Sequence, residues 1–393
     1  MISPHGSDVL TPLFVEDAAA RKQLYSEAQE LEPVLLSSAG AANAVMLGAG
    51  YFTPLPGFMD KSDALHVART MHTRHDLLWP VPVLCLVEHA KRLEKRQRIA
   101  LTDPNVKGHP VLATMDIEAV EFLSDAEMLE ICENVYRTTD PGHPGVSEFM
   151  EQGQTMLSGP IQVLNYSYFT SEYSGTFRTA VEIRNDIRDN GWEKTVAFQT
   201  RNPMHLAHEE LCRIAMERVG ADGCVIHMLL GKLKPGDIPA EIRDAAIRKM
   251  VELYFPKSTV MIAGYGFDML YAGPREAVLH AIFRQNMGAT HFIIGRDHAG
   301  VGDYYGAFDS QTIFQDIPKG ELEIEIFNAD HTAYSTKLDK VVMMREAPDH
   351  RPEDFVLLSG TRVREMLSRG IALPPEFSRP EVARILMQYY QSK

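Results

Sequence analysis

The chain has 393 residues, which is long for one domain and suits two or three. Apolar residues make up 45% of it and charged residues 23%, as in an ordinary globular protein. The formal net charge of −14 argues against a general nucleic-acid binder, and no apolar run reaches the length of a membrane span. An acidic chain that binds anions must therefore collect its positive charge locally.

Short β-type segments separated by turn signals predict a mainly β domain over residues 1–165. A helical pattern at 126–137 interrupts the β-type segments. The loop 103–110 contains Asp, Pro, Asn and Gly, which predicts a hairpin. The predicted strands are 81–87, 98–102 and 111–122.

Strands and helices alternate after residue 166, at a spacing typical of βαβ units. This order predicts a parallel, doubly wound sheet in a second domain, 166–325. A smaller third domain, 326–393, is predicted to end in helices over 361–392. The predicted strands are 195–198, 224–229, 259–263, 291–294, 323–327 and 340–344, and the predicted helices are 203–219, 240–255 and 274–287.

The cysteines indicate a reducing compartment. Cys85, Cys132, Cys212 and Cys224 are scattered within apolar segments and form no CxxC pair. The amino terminus also lacks the basic and then apolar pattern of a signal peptide. We therefore expect buried free thiols and a cytoplasmic protein.

The segment 199–211 joins a predicted strand to a predicted helix. Asn202 occupies a predicted N-cap position, and Pro203 the first helical position. His205 and His208 lie three residues apart, so they share a helix face. A helix start directs free N–H groups at a ligand, and with Arg201 it predicts an anion site for a phosphate chain. Each histidine alone is equally consistent with an ordinary surface residue, and Asn202 alone with a plain cap.

A second segment, 295–300, follows the apolar strand 291–294 and reads Gly-Arg-Asp-His-Ala-Gly. Its glycines allow the backbone to approach a ligand closely. Arg296 can hold a phosphate, and Asp297 can accept hydrogen bonds from a ribose or an amine. The alternative is an ordinary βα turn with a surface Arg–Asp pair.

Two further basic segments suit the same anion. Ser359, Gly360 and Thr361 can open a helix, and Arg362 and Arg364 follow them. The loop 231–237 carries Lys232 and Lys234, for which ordinary solvated lysines are the commoner interpretation. The sequence contains no GxxxxGK[ST] P-loop and no HExxH zinc motif.

The chain resembles the HIGH-type nucleotidyltransferases, because HxxH opens a helix and SGTxxR follows late, although Ala207 replaces the usual Gly. More specifically, Gln199-Thr-Arg-Asn-Pro-Met-His205 and the segment 295–300 resemble the signature motifs of the ATP sulfurylase family. Further similarities are Pro4-His-Gly6, the segment 50–59, His143-Pro-Gly-Val146 and Lys234-Pro-Gly-Asp237. The resemblance extends over nearly the full length.

This resemblance implies a PUA-like mainly β domain, a Rossmann-like α/β catalytic domain and a small C-terminal α/β subdomain. It also implies the reversible reaction of ATP with sulfate to give adenylyl sulfate and pyrophosphate, in a homodimer or larger assembly. Neither nucleic acid nor membrane is an expected partner.

The family's motifs also imply roles for single residues. Thr200, Arg201 and Asn202 would be catalytic, and Gln199, Arg201 and the backbone of Ala299 would bind sulfate. The implied ATP contacts are Gln199, Asn202, His205, His208, Gly295, Arg296, Asp297, His298 and, in the strand 341–344, Met344.

The implied chemistry needs no general base, because sulfate is already ionised at neutral pH. We expect in-line attack of sulfate on the α-phosphorus, with Mg²⁺ entering as MgATP and no metal ligands from the protein. The segment 333–337 lacks the cysteines that hold zinc in some relatives, so we expect no structural zinc. Without a P-loop we also expect no kinase domain.

Two other functions remain open from the residues. An adenylyltransferase for nicotinamide mononucleotide or pantetheine phosphate would share HxxH and SGTxxR. A non-catalytic nucleotide- or RNA-binding protein would use the PUA-like part, although the acidic charge opposes it.

Overall fold

A sheet of short strands organises the amino-terminal part of the chain. The computed structural model describes residues 1–88, 93–233 and 237–392, and in it these strands are β1 (Pro33–Leu35), β2 (Gly57–Phe58), β3 (Cys85–Val87), β4 (Arg98–Thr102), β5 (Val111–Asp116), β6 (Ala119–Phe122) and β7 (Thr155–Val163). Strand β7 is central, because β2, β3, β5 and β6 all pair with it in antiparallel fashion. The predicted hairpin is confirmed, since β4 pairs antiparallel with β5. The predicted strand 111–122 is divided into β5 and β6.

The helices of this part are α1 (Ala18–Ala28), α2 (Ser38–Gly48), α3 (Lys61–Thr70), α4 (Asp125–Tyr136) and α5 (Pro144–Met150), and α1 and α2 pack against the sheet. Helix α4 matches the predicted helix closely and begins with a capping box between Ser124 and Glu127. Helix α5 is capped by the His143 side chain, which accepts hydrogen bonds from the N–H groups of Gly145 and Val146.

The second part of the chain contains the predicted parallel sheet. Its strands are β8 (Thr195–Thr200), β9 (Gly223–Leu229), β10 (Val260–Tyr265), β11 (His291–Ile294) and β12 (Glu325–Asn328), in the order β10-β9-β8-β11-β12. All neighbouring pairs are parallel. Chain order therefore reverses between β8 and β11, and such a point is where ligands bind in doubly wound folds. Strand β12 continues across the boundary that we predicted after residue 325.

The helices of this part are α6 (Phe169–Glu172), α7 (Ala180–Asp189), α8 (Leu206–Val219), α9 (Ala240–Tyr254), α10 (Pro274–Asn286) and α11 (Asp309–Thr312). The carboxyl-terminal part adds an antiparallel sheet of β13 (Thr332–Ser335), β14 (Lys340–Met343) and β15 (Phe355–Val356), followed by α12 (Gly360–Ser368) and α13 (Pro380–Gln391). Short 3-10 turns occupy Ile313–Gln315, Met344–Glu346 and Pro352–Asp354.

Helix α10 joins the first two parts, and all 13 of its residues are buried. Arg275 donates hydrogen bonds to the carbonyls of Val67, Ala68 and Pro80 in the amino-terminal part. Asn286 donates to the carbonyls of Tyr51 and Thr53 at distances of 2.8 and 3.0 Å. These contacts bury polar side chains with their hydrogen bonds made, so the two parts share one core.

The carboxyl-terminal part is held on α8 by an ion pair with a buried carboxylate. Arg379 donates two hydrogen bonds, of 3.0 and 2.8 Å, to the Glu209 carboxylate, whose side chain is 0% exposed. The Leu206 N–H also donates to the Phe377 carbonyl. The segment before α13 is thereby fixed beside the start of α8.

Each of the four cysteines is a buried free thiol, as predicted. Among the described residues, no helix is long and apolar enough to cross a membrane.

Candidate active site

A cleft opens at the carboxyl ends of β8 and β11, where the strand order reverses. It encloses about 290 Å³ and brings the two predicted motifs together. Its lining includes Gln199, Thr200, Arg201, Asn202, His205 and His208 from the first motif, and Gly295, Arg296, Asp297, His298 and Ala299 from the second. The structure therefore places all of these predicted site residues in one cleft.

The start of α8 differs from the prediction. The helix begins at Leu206 with His205 as N-cap, whereas we predicted Asn202 at the cap and Pro203 in the first turn. The Thr200 hydroxyl accepts a hydrogen bond from the Asn202 N–H at 3.1 Å and donates to the Asn202 carbonyl at 2.7 Å. This local turn competes with the helix, so Arg201 and Asn202 lie in a loop at the cleft wall.

Arg201 is held at the cleft by two contacts. Its Nη2 donates to the Gly300 carbonyl at 3.1 Å, and its Cζ lies 5.0 Å from the centroid of the Tyr271 ring. Its Nη1 is buried and has no hydrogen-bond partner among the described residues. A buried charged donor without a partner favours an anionic ligand, because an unpaired charge is expensive to bury.

His205 and His208 lie together on the cleft wall, with ring centroids 3.9 Å apart. The His208 Nδ1 accepts a hydrogen bond from the His205 N–H at 3.3 Å, and the His205 ring stacks on Phe377 at 4.7 Å. Burial lowers the pKa of His208 to about 4 and that of His205 well below its usual value. Both rings are therefore neutral at pH 7 and offer N–H donors instead of charge.

The loop after β11 has a special backbone. Asp297 and Ala299 have positive φ angles of 54° and 56°, and the Asp297 N–H donates to the Ala307 carbonyl. The exposed side chains of Arg296 and Asp297 form a pair at 3.2 Å. The His298 Nε2 lies 3.1 Å from the His280 Nδ1, and burial lowers the pKa of His298 to about 3. The loop thus adds an exposed cation and a neutral imidazole to the cleft.

Some predicted ligand residues lie elsewhere. Met344 is not among the residues that line the cleft. It packs against Ala333, Ala347 and Phe355, and its N–H donates to the His331 carbonyl. Only His331 of this pair reaches the cleft lining.

The described residues of the two further basic segments are not part of the lining either. Ser359 does cap α12, as the SGT sequence predicted, but Arg362 pairs with Glu365 at 2.8 Å in an exposed position. Lys232 pairs with Glu148 at 3.3 Å, and Lys234 lies outside the described residues.

Sequence reasoning missed Asp330, His331 and Thr332, which line the cleft directly after β12. The available signal was their position. They follow a predicted strand of the parallel sheet, and carboxyl ends of parallel strands meet at one edge. Met269 was missed as well, because it precedes α10 and does not follow a strand directly.

Carboxylate side chains line the cleft, but they do not form a metal-binding group. The part of the chain that the structure describes contains no group of three His, Cys, Asp or Glu side chains arranged to hold a metal ion. Asp297 and Asp330 line the cleft, and carboxylate oxygens together with phosphate oxygens suit Mg²⁺.

Comparison with known proteins identifies the family. The ATP-sulfurylase family model matches residues 175–389, and the PUA-like domain model matches residues 2–166. The chain belongs to the ATP sulfurylase family. Similar curated proteins named sulfate adenylyltransferase occur in Allochromatium vinosum (67% identical) and Alcanivorax borkumensis (64% identical). Both alignments cover 100% of this chain, and they cover 99% and 98% of the two relatives.

A third relative in this family, from the Riftia pachyptila sulfur-oxidizing endosymbiont, is 54% identical over 98% of this chain and 88% of its own length. Among solved structures, one titled hexameric APS kinase from Thiobacillus denitrificans aligns with a TM-score of 0.74 and 21% identity. It covers 99% of this chain and 68% of that chain, and at this identity it shows the fold alone. The expected combination of a PUA-like domain with an α/β catalytic domain is confirmed.

Proposed function

We infer that this chain is a sulfate adenylyltransferase, which converts ATP and sulfate into adenylyl sulfate and pyrophosphate. The observation that carries this inference is Arg201, whose buried Nη1 has no partner in the described residues and lies in the cleft with both family motifs. A planar guanidinium is suited to two parallel hydrogen bonds with a tetrahedral oxyanion.

The sulfate subsite would be formed by Arg201, Gln199 and the backbone at Ala299. The Gln199 Oε1 is also buried without a hydrogen-bond partner in the described ranges. Because the amide oxygen and nitrogen of a glutamine can exchange places by a flip, this side chain can donate to an oxyanion. Positioning and charge neutralisation are the main tasks here, since sulfate is a weak nucleophile and the α-phosphoryl group is anionic.

The ATP subsite would be formed by Asn202, His205, His208 and the loop 295–298. Neutral imidazoles donate hydrogen bonds to phosphate oxygens, and because they carry no charge they do not attract sulfate into the ATP subsite. Thr200 and Asn202 would act with Arg201 at the reacting centre, and sulfate would attack the α-phosphorus in line with the departing pyrophosphate. Met344 would contact adenine only after a local rearrangement, because its side chain packs away from the cleft.

Mg²⁺ would enter as part of MgATP and neutralise the departing pyrophosphate. Asp297 and Asp330 are the carboxylates of the cleft lining that can contact its water shell. Chelation should therefore abolish turnover and leave the melting temperature of the protein unchanged, as expected of a chain without structural zinc. A melting temperature that falls on chelation would contradict this assignment.

We further propose three domains, a cytoplasmic location and a homodimer. The proposed domains are 1–165, 166–325 and 326–393, and β12, which crosses the second limit, pairs with β11 of the middle domain. Sedimentation velocity at several protein concentrations tests the dimer, since a hexamer or a monomer would sediment at a clearly different rate.

The reaction itself is tested in both directions with purified protein. Pyrophosphate release from ATP should depend on sulfate, and ATP should form from adenylyl sulfate and pyrophosphate. Nicotinamide mononucleotide and pantetheine phosphate serve as competing acceptors in the forward assay. Release that depends on either of them, and not on sulfate, would overturn the proposed function.

A further inference from the structure

Arg201 rests on a loop that the amino-terminal domain holds in place. The loop comprises residues 269–273, the last part of the connection from β10 to α10. Tyr271 has a φ angle of 60°, a left-handed backbone conformation that is unfavourable for a bulky side chain. Its buried ring lies under the Arg201 guanidinium at 5.0 Å. A strained residue persists only when its surroundings fix it, so the contacts of this loop determine where the guanidinium lies.

One set of contacts comes from α10. The Glu276 carboxylate accepts hydrogen bonds from the N–H of Leu270 at 3.1 Å and from the N–H of Ala272 at 3.0 Å. The Gly273 N–H donates to the Ala299 carbonyl at 3.1 Å. These bonds fix both sides of Tyr271 and connect the loop to the second motif.

The other set comes from α5 in the amino-terminal domain. The His143 Nδ1 accepts hydrogen bonds from the N–H of Gly145 at 3.1 Å and of Val146 at 3.3 Å. The proton of the neutral ring is therefore on Nε2, which lies 3.1 Å from the Tyr271 carbonyl oxygen and 3.1 Å from the Tyr305 hydroxyl oxygen. Burial lowers the pKa of His143, which favours this neutral form. The Tyr305 hydroxyl lies 2.9 Å from the same carbonyl.

We propose that His143 is a positioning residue for the oxyanion subsite: by fixing the Tyr271 carbonyl it holds the ring on which the Arg201 guanidinium lies. The amino-terminal domain then helps to position a sulfate-binding residue, although it does not contact sulfate itself. This proposal rests on the proposed function, in which Arg201 binds sulfate. It also gives a physical role to the His-Pro-Gly segment of the sequence, which contributes nothing to the cleft lining itself.

The two ring nitrogens allow the positioning role to be separated from the folding role. In His143→Asn the amide oxygen takes the place of Nδ1, so the cap of α5 is kept and the bond to Tyr271 is lost. In His143→Gln the amide nitrogen reaches toward the place of Nε2, so the bond to Tyr271 is restored and the cap is weakened. Ser124→Ala is the matched control, because it removes the cap of α4 without contact to the loop.

The measured quantities are the KM for sulfate, the KM for ATP and the melting temperature. His143→Asn should raise the KM for sulfate roughly tenfold, within the ~100-fold effect that a 1 Å misplacement can have. Its KM for ATP and its melting temperature should stay close to those of the wild type. His143→Gln should show a KM for sulfate near that of the wild type, and Ser124→Ala should lower only the melting temperature.

A wild-type KM for sulfate in His143→Asn would overturn the proposal, and so would an equal rise of both KM values. If His143→Asn fails to fold, Tyr305→Phe tests the same carbonyl and should raise the KM for sulfate about threefold, since a neutral hydrogen bond contributes modestly. An unchanged value there would also overturn it. Wild-type protein without sulfate-dependent turnover would instead refute the proposed function, and that result is distinguishable before any variant is made.

Discussion

Replacement of Arg201 by alanine is the sharpest test of the sulfate subsite. The substitution removes a guanidinium that donates to the Gly300 carbonyl, lies on Tyr271 and has a buried, unpartnered Nη1 within the described structure. Sulfate loses its charged partner, whereas the two histidines proposed to contact ATP remain. We therefore expect a selective loss of reactivity toward sulfate.

The size of the loss follows from the hydrogen bonds involved. A hydrogen bond to a charged group contributes about 1.5–3 kcal/mol, which corresponds to about 10- to 150-fold in rate. A bidentate contact doubles this free energy and predicts a fall of about 10²- to 10⁴-fold in kcat/KM for sulfate. Arg201→Lys keeps the charge and loses the planar pair of donors, so its loss should lie between those of alanine and the wild type.

The assay follows sulfate-dependent pyrophosphate release, and ATP affinity is measured separately by equilibrium binding. Arg218→Ala is the matched control, because Arg218 forms an exposed pair with Glu346 outside the cleft. It should retain wild-type values. A kcat/KM for sulfate within tenfold of the wild type in Arg201→Ala would refute the reasoning, as would an equally large loss of ATP affinity.

Three other predictions concern the histidines and the domain contacts. His208→Ala should raise the KM for ATP about tenfold while the KM for sulfate stays the same, and an unchanged KM for ATP would remove His208 from the phosphate site. Because burial lowers the pKa of His208 to about 4 and of His298 to about 3, the unfolded chain binds more protons below pH 6.5. The free energy of unfolding should therefore fall between pH 6.5 and 4, by up to about 1.4 kcal/mol per pH unit and histidine, and urea unfolding that is independent of pH over this range would contradict it. Arg379→Met removes two hydrogen bonds from the buried Glu209 carboxylate, which Arg213 still contacts at 3.2 Å, so urea unfolding should show a loss of about 1.5–3 kcal/mol, and an unchanged free energy of unfolding would contradict this role.

The sheet that positions the site was predictable from the sequence. Each of β8, β9, β10 and β11 is a mainly apolar run at the spacing of βαβ units, so pattern and spacing agree. Because parallel strands place their carboxyl ends at one edge, the loops after β8 and β11 had to meet. The cleft confirms this for residues 199–202 and 295–299.

Other features depended on contacts that a linear pattern does not contain. The Thr200 hydroxyl binds the backbone of Asn202 and delays the helix start to Leu206, although Asn202 and Pro203 form a good start signal. Met344 belongs to a predicted strand, but its packing partner Phe355 lies on β15, which no pattern indicated. Asp330–Thr332 carry no motif, and only their place after β12 brings them to the cleft.

The burial of α10 sets a limit on how this protein can be cut or recombined. A fragment starting near residue 166 would retain Arg275 and Asn286 but lose the carbonyl groups that both side chains bind. When the amino-terminal domain is replaced by that of a homologue, the donors on α10 must bind carbonyl groups of a different protein. Chimaeras of two homologues should therefore fold only when α10 and the amino-terminal domain come from the same protein.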